Sequence, residues 1–277
     1  MATAMSEAIA LGSSLRRDRA IVMLGLAGVA ALSWISTVLL VLEMLPAHAG
    51  TAVPHGPAWR GLEVAPLFLM WVLMMAAMMV PAAAPNLLAL AGAQRKGRER
   101  QDPVARAALF LSGDLLVWTG FSLLAALAQW RLHAAALMSP RMASTNALLS
   151  GALLVAAGVF QFTPVKKACL RRCRAPLEDR GGPWGPSNPL ASAVSASRDR
   201  PWGAFLMGLT HGAFSAGSCA ALMLVLFVTG VMSLLWMAVL TGFLVLERIA
   251  PEGPWISRVA GTLLAAWGGW MLLGTLA

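Results

Sequence analysis

The sequence predicts an all-α protein: a polytopic transmembrane helical bundle of about seven spans, N-terminus inside, with six as the alternative count. Three observations predict it. Hydrophobic residues make up 58% of the 277 and charged residues only 12%, against about 25% charged in soluble domains. Uncharged or nearly uncharged runs approach, again and again, the roughly 20 residues that a membrane helix needs. Lysine and arginine gather in alternate connecting segments, as they do on the inner side of membrane proteins. A chain this poor in polar groups cannot cover a water-facing surface, so lipid is the expected solvent for much of it.

Each element follows in order. Residues 1–19 read as an inner-side tail carrying Arg16, Arg17 and Arg19. Ala20–Leu42 reads as the first span, uncharged up to Glu43. Its apolar run is longer than the 7–15 residues of a signal-peptide core, so a retained helix is expected in spite of the small-residue sequence Ala47-His48-Ala49. Val64–Ala93 is the second span, without a charge and interrupted by Pro81 and Pro85. Those prolines free backbone carbonyls and favour a kink. Val104–Trp130 is the third, with Arg106 at its start and Asp114 inside. Ser144–Phe162 is the fourth and is uncharged. The segment 163–202 is an inner loop, basic at first and then rich in Gly, Pro, Ser and Ala, a linker composition. Gly203–Val228 and Val231–Leu246 read as two spans turning at Thr229-Gly230, or as one long helix with a broken piece before it. Val259–Leu276 closes a single membrane domain covering 20–276.

Seven spans place 18 of the 21 basic residues inside, and six spans place 16 there. The net charge of +9 is therefore topological, and a nucleic-acid partner is not expected. Trp59, Trp130, Trp202 and Trp255 fall near span ends, where interfacial anchors belong. No dinucleotide fingerprint, P-loop or complete catalytic constellation is present, so no enzyme is expected.

Three groups of residues carry chemistry. The first is Lys166-Lys167-Ala168-Cys169-Leu170-Arg171-Arg172-Cys173-Arg174. Cys169 and Cys173 are four apart, on one face of a helix. Flanking cations favour thiolate, the form that ligates soft ions such as copper(I) or zinc(II). The bland reading is equally specific: Lys166, Lys167, Arg171, Arg172 and Arg174 contact anionic lipid headgroups, and the cysteines are inert or acylated. The second group is His211 and Cys219, followed by Met223, all inside the fifth hydrophobic segment. These are soft-metal ligands in a setting where an ionisable side chain usually faces the bundle interior. A packed, hydrogen-bonded histidine is the alternative. The third is Asp114, a candidate proton or charge relay that needs a partner at its depth. Its distance from the inner end matches that of His211, so the two are expected to meet. Glu247 and Arg248 read as an interfacial stop or as part of an ion pair.

Residues 69–81, LMWVLMMAAMMVP, hold five methionines. Met70, Met74 and Met78 form one stripe, and Met75 and Met79 a second roughly 100° away. Sulfur spread over half a helix suits packing better than a single ligand track. Any ligand here is expected to be one or two residues of the first stripe, with Met74 and Met78 as partners of the other candidates.

Together these residues resemble a bacterial inner-membrane family known as domain of unknown function 2182, whose members are described as predicted metal-binding integral membrane proteins. The resemblance runs from about Trp71 to Glu247. It rests on MWVLMMAAMMVPAAAP, on WTGFS at Trp118–Ser122, on FQFTPVKKACLRRCRAP, on HGAFSAGSCAALM and on GVMSLLWMAVLTGFLVLER. It implies a multi-pass protein of the cytoplasmic membrane with a metal role. The family pattern is richer in cysteine at the positions of Ser215 and Ser218, and only Cys219 is kept here. That leaves Cys169 and Cys173 as the better-supported pair.

The expected function is binding or transport of a soft transition metal, copper(I) first and zinc second. The bilayer is the expected partner, with a membrane or periplasmic protein as a further one. Two other classes stay open: a non-catalytic membrane assembly subunit, and a proton-coupled transporter of a small solute that uses Asp114.

Overall fold

The structure, a computed structural model, describes residues 2–49, 64–93, 103–135, 144, 146–174, 201–231, 233–250 and 253–275. Among the described residues there are eight helices and no strand: α1 Ala2–Ala49, α2 Val64–Ala93, α3 Pro103–Ala134, α4 Ala147–Phe160, α5 Pro164–Arg174, α6 Pro201–Thr229, α7 Leu234–Ile249 and α8 Gly253–Leu273. Five segments are long and apolar enough to cross a membrane: Arg17–Leu42, Val64–Leu88, Val104–Ala134, Trp202–Thr229 and Trp255–Leu273.

Two elements expected as spans are short. Helix α4 has 14 residues and α7 has 16, about 21 and 24 Å of helix against a hydrocarbon core of about 30 Å. The start of α4 is set by Asn146, whose side chain accepts from the Leu149 N–H at 3.1 Å, a capping bond. Its end is set by Thr163-Pro164. The Thr163 hydroxyl accepts the Lys166 N–H at 3.3 Å, and Pro164 opens α5 at the first helical position, where its missing N–H costs nothing. The chain therefore bends by 63° between α4 and α5. Helix α5 carries five cations in eleven residues and is too polar to be a span itself. It lies against α6 and α7.

The N-terminal helix departs from its expected boundary. Helix α1 runs unbroken through residue 19, where a tail was expected to end. The turn between α6 and α7 falls at Thr229-Gly230, and Gly230 takes φ 100°, a left-handed conformation that glycine adopts without strain. The linker composition of residues 175–200 and the anchor Trp59 lie outside the described residues.

Helix α2 is the central helix, packed on α1, α3 and α7. Pro81 has no N–H to give the carbonyl of Ala77, four residues back. The Trp34 indole of α1 supplies the missing donor, Nε1 to the Ala77 oxygen, at 3.0 Å. Helices α3 and α6 cross where Gly113 faces the Phe205–Leu209 backbone, Gly208 faces Phe110 and Gly212 faces Asp114 and Val117. A Cβ at Gly208 would run into the Phe110 carbonyl, and one at Gly113 into the Phe205 carbonyl. This near contact of backbones sets the depth at which α3 and α6 present their polar side chains. Gly151 and Gly158 of α4 approach Gly268 and Gly261 of α8 in the same way, the small-residue packing typical of membrane helices. The outward faces carry large apolar side chains, with Trp270 79% exposed and Leu24 72%.

Candidate metal centre

The α3–α6 crossing brings Asp114 and His211 together, both buried, with Oδ1 2.8 Å from Nδ1. The Phe110 ring lies beside the imidazole at 5.4 Å between centroids. The other imidazole nitrogen, Nε2, is 2.8 Å from Nδ2 of Asn86 on α2. The same Asn86 nitrogen donates to the Cys173 carbonyl at 2.9 Å. One chain of hydrogen bonds thus links α3, α6, α2 and α5. The second Asp114 oxygen, Oδ2, has no hydrogen-bond partner among the described residues.

Helix α5 is held by a buried ion pair. Lys166 Nζ is 2.7 Å from Glu247 Oε1, with both side chains about 1% exposed. The Ser257 hydroxyl of α8 donates to the same carboxylate oxygen. Next to it, Arg248 donates to the Ser215 hydroxyl, and the Cys219 thiol donates to the Ser215 carbonyl at 3.0 Å. Arg248, Lys166 and Glu247 are all close enough to act electrostatically on Cys219. Cys173 is likewise within electrostatic reach of Arg248, Cys219, Asp114 and Cys169. The Cys169 sulfur sits on Gly217 of α6, where an added Cβ would be 2.9 Å away. All three cysteines are free thiols. Three thiols, the imidazole and its carboxylate therefore share one region, walled by α2, α3, α5, α6 and α7.

Burial works against the thiolate that the neighbouring cations favour. It pushes the half-exposed Cys169 thiol up, with Arg172 opposing. It pushes buried Cys173 further, to about 12, with Arg248 opposing. A metal taken up here must displace a proton from each thiol it binds.

The methionines form the apolar side of this region. Met70, Met74, Met75, Met78 and Met79 are all buried, and they share one packed cluster with Cys219, Met223 and Met237. Both stripes are covered because α2 has neighbours on several sides. Among the described residues, no three His, Cys, Asp or Glu side chains stand close enough together to hold a metal as they are. A donor set here would need methionine sulfur beside a cysteine or histidine, soft ligands of the kind that suit copper(I).

The basic residues divide. Lys166 was expected at the headgroups and is instead buried on Glu247, because α5 turns that face into the bundle. Lys167 is half-buried and Arg171 exposed. Arg172 lies over the Phe214 ring at 5.4 Å. The Arg174 side chain lies outside the described residues. Sequence reasoning missed Asn86, and it marked Ser215 only as a position where the family pattern carries cysteine. Asn86 had a signal, as the one polar side chain among the 30 residues of α2.

The fold and this region define a helical bundle with a buried cluster of sulfur and polar side chains beside the basic helix α5. The family model of PpoB2, described as a copper chaperone, matches residues 68–271, and the chain belongs to that family. No curated protein and no solved structure matches it.

Proposed function

We propose that this chain is a multi-pass protein of the bacterial cytoplasmic membrane that takes up copper(I) as cargo and hands it on without catalysing a reaction. One observation carries the reading: Cys169 and Cys173 of α5 come together with His211 and Cys219 of α6 in one region in a chain whose family is copper-related. The five long apolar helices and the exposed apolar outer faces support insertion in a bilayer, with α4 and α7 completing about seven spans. Asp114 fits the role of the carboxylate that orients a metal-binding histidine and raises its basicity. Cys169 and Cys173, on a half-exposed helix beside the basic inner face, would be the pair that receives or gives up the ion. Cys219 and Met223 would follow at depth, with Met74 and Met78 behind them. A membrane or periplasmic acceptor protein would receive the copper.

Copper and zinc content decides the matter. The full chain and its Cys169→Ser/Cys173→Ser variant are purified in detergent, reduced and supplied with each metal. Copper(I) retained by the full chain and largely lost by the variant supports the reading. Near-zero metal in both removes it.

A further inference from the structure

Asn86 stands between the two halves of this site, and its contacts fix more than its own position. Its Nδ2 faces the Cys173 carbonyl at 2.9 Å and His211 Nε2 at 2.8 Å. A carbonyl oxygen only accepts, so the group facing it is the amide NH2 and not the amide oxygen. That NH2 has two hydrogens, one for each contact. His211 Nε2 must therefore accept, and the ring proton sits on Nδ1, donated to Asp114 Oδ1 at 2.8 Å. A carboxylate bound to one imidazole N–H is the arrangement that prepares the opposite nitrogen for a metal. Here that nitrogen's lone pair is engaged by Asn86.

The second contact has its own logic. Helix α5 is described as far as Arg174, and the Cys173 carbonyl lies in its last described turn. Asn86 donates to that carbonyl. A rotation of one side-chain amide would therefore break both bonds together.

We propose that Asn86 is a displaceable cap on the copper-binding nitrogen of His211, tethered to the Cys173 turn, so that copper(I) gains Nε2 by turning Asn86 aside. This rests on the copper reading of the same site and adds to it the residue that controls access. An amide serving only as glue between helices would also make two hydrogen bonds, but its loss would not strengthen copper binding.

The test uses the full chain in detergent under reducing conditions, with a chromophoric copper(I) chelator as competitor. Asn86→Leu fills similar volume and cannot donate. It is expected to bind copper(I) about five- to tenfold more tightly than the wild type, the equivalent of one hydrogen bond no longer competing. In a His211→Gln background the same substitution is expected to change nothing. A second measurement needs no substitution: the 15N-histidine spectrum of the wild type before copper is added. It is expected to show His211 protonated at Nδ1 alone. Unchanged or weaker affinity in Asn86→Leu, a gain that persists in His211→Gln, or a proton on His211 Nε2 overturns the proposal while the copper reading stands. Absence of copper binding by the wild type overturns both.

Discussion

Replacing Glu247 with glutamine tests how α5 is held. Lys166 is fully buried and Glu247 nearly so, 2.7 Å apart, with Ser257 on the same carboxylate oxygen. Glutamine keeps the shape and removes the charge. The Lys166 ammonium is then left inside the bundle without a counter-ion, which costs about 3–5 kcal/mol. The paired replacement Lys166→Met/Glu247→Met removes both charges and both desolvation penalties. It is expected to be near neutral, because an apolar pair of similar volume commonly replaces a buried ion pair without loss. The assay is equilibrium unfolding in detergent micelles followed by tryptophan fluorescence, on the wild type, the single variants Glu247→Gln and Lys166→Met, and the double. The singles should lose most of that amount and the double should recover it. In Glu247→Gln, Cys169 should also react faster with a thiol reagent, since the contact anchoring its helix is weakened. A loss below about 1 kcal/mol in Glu247→Gln, with no recovery in the double, would refute the view that this pair is ionised and fastens α5.

Other predictions address the remaining contacts. Gly208→Val drives a Cβ into the Phe110 carbonyl and should separate α3 from α6, with loss of copper retention and of stability; Gly208→Ala should do the same less severely. Copper retention equal to wild type in both would contradict the crossing argument. Trp34→Phe removes the donor to the Ala77 carbonyl freed by Pro81 and should cost about 1 kcal/mol in unfolding with copper binding intact. Asp114→Asn should weaken copper(I) binding about 10–100-fold, as loss of the carboxylate behind a metal-binding histidine does; unchanged affinity would exclude His211 as a ligand. Gly217→Val should push the Cys169 sulfur off α6, which a changed alkylation rate at Cys169 would report.

Much of the helical layout was legible because composition and run length speak directly about lipid. The hidden parts were tertiary. Lys166 looked like a headgroup residue because its neighbours in sequence are cations, and nothing local reveals that Glu247, 81 positions on, will meet it. The bend at Thr163-Pro164 has a local cause, a cap followed by proline at the first helical position, yet an apolar-run criterion passes over it. Asp114 and His211 were matched by counting from their inner ends, and the crossing at Gly113 and Gly208 brings them into contact. Asn86 escaped because an amide carries no charge, although a single polar side chain in an apolar helix needs a partner as an ionisable one does. The methionine stripes were readable as packing and left their ligand role open, since burial on several sides of α2 suits either.

The central claim is that copper(I) is held by sulfur and the His211 imidazole in this buried region. X-ray absorption at the copper edge, on the reduced and copper-loaded full chain, tests it most directly. The expected spectrum shows copper(I) with sulfur neighbours and an imidazole contribution that disappears in His211→Gln, while Cys169→Ser/Cys173→Ser loses sulfur. Light-atom neighbours alone, identical in the wild type and both variants, would contradict it.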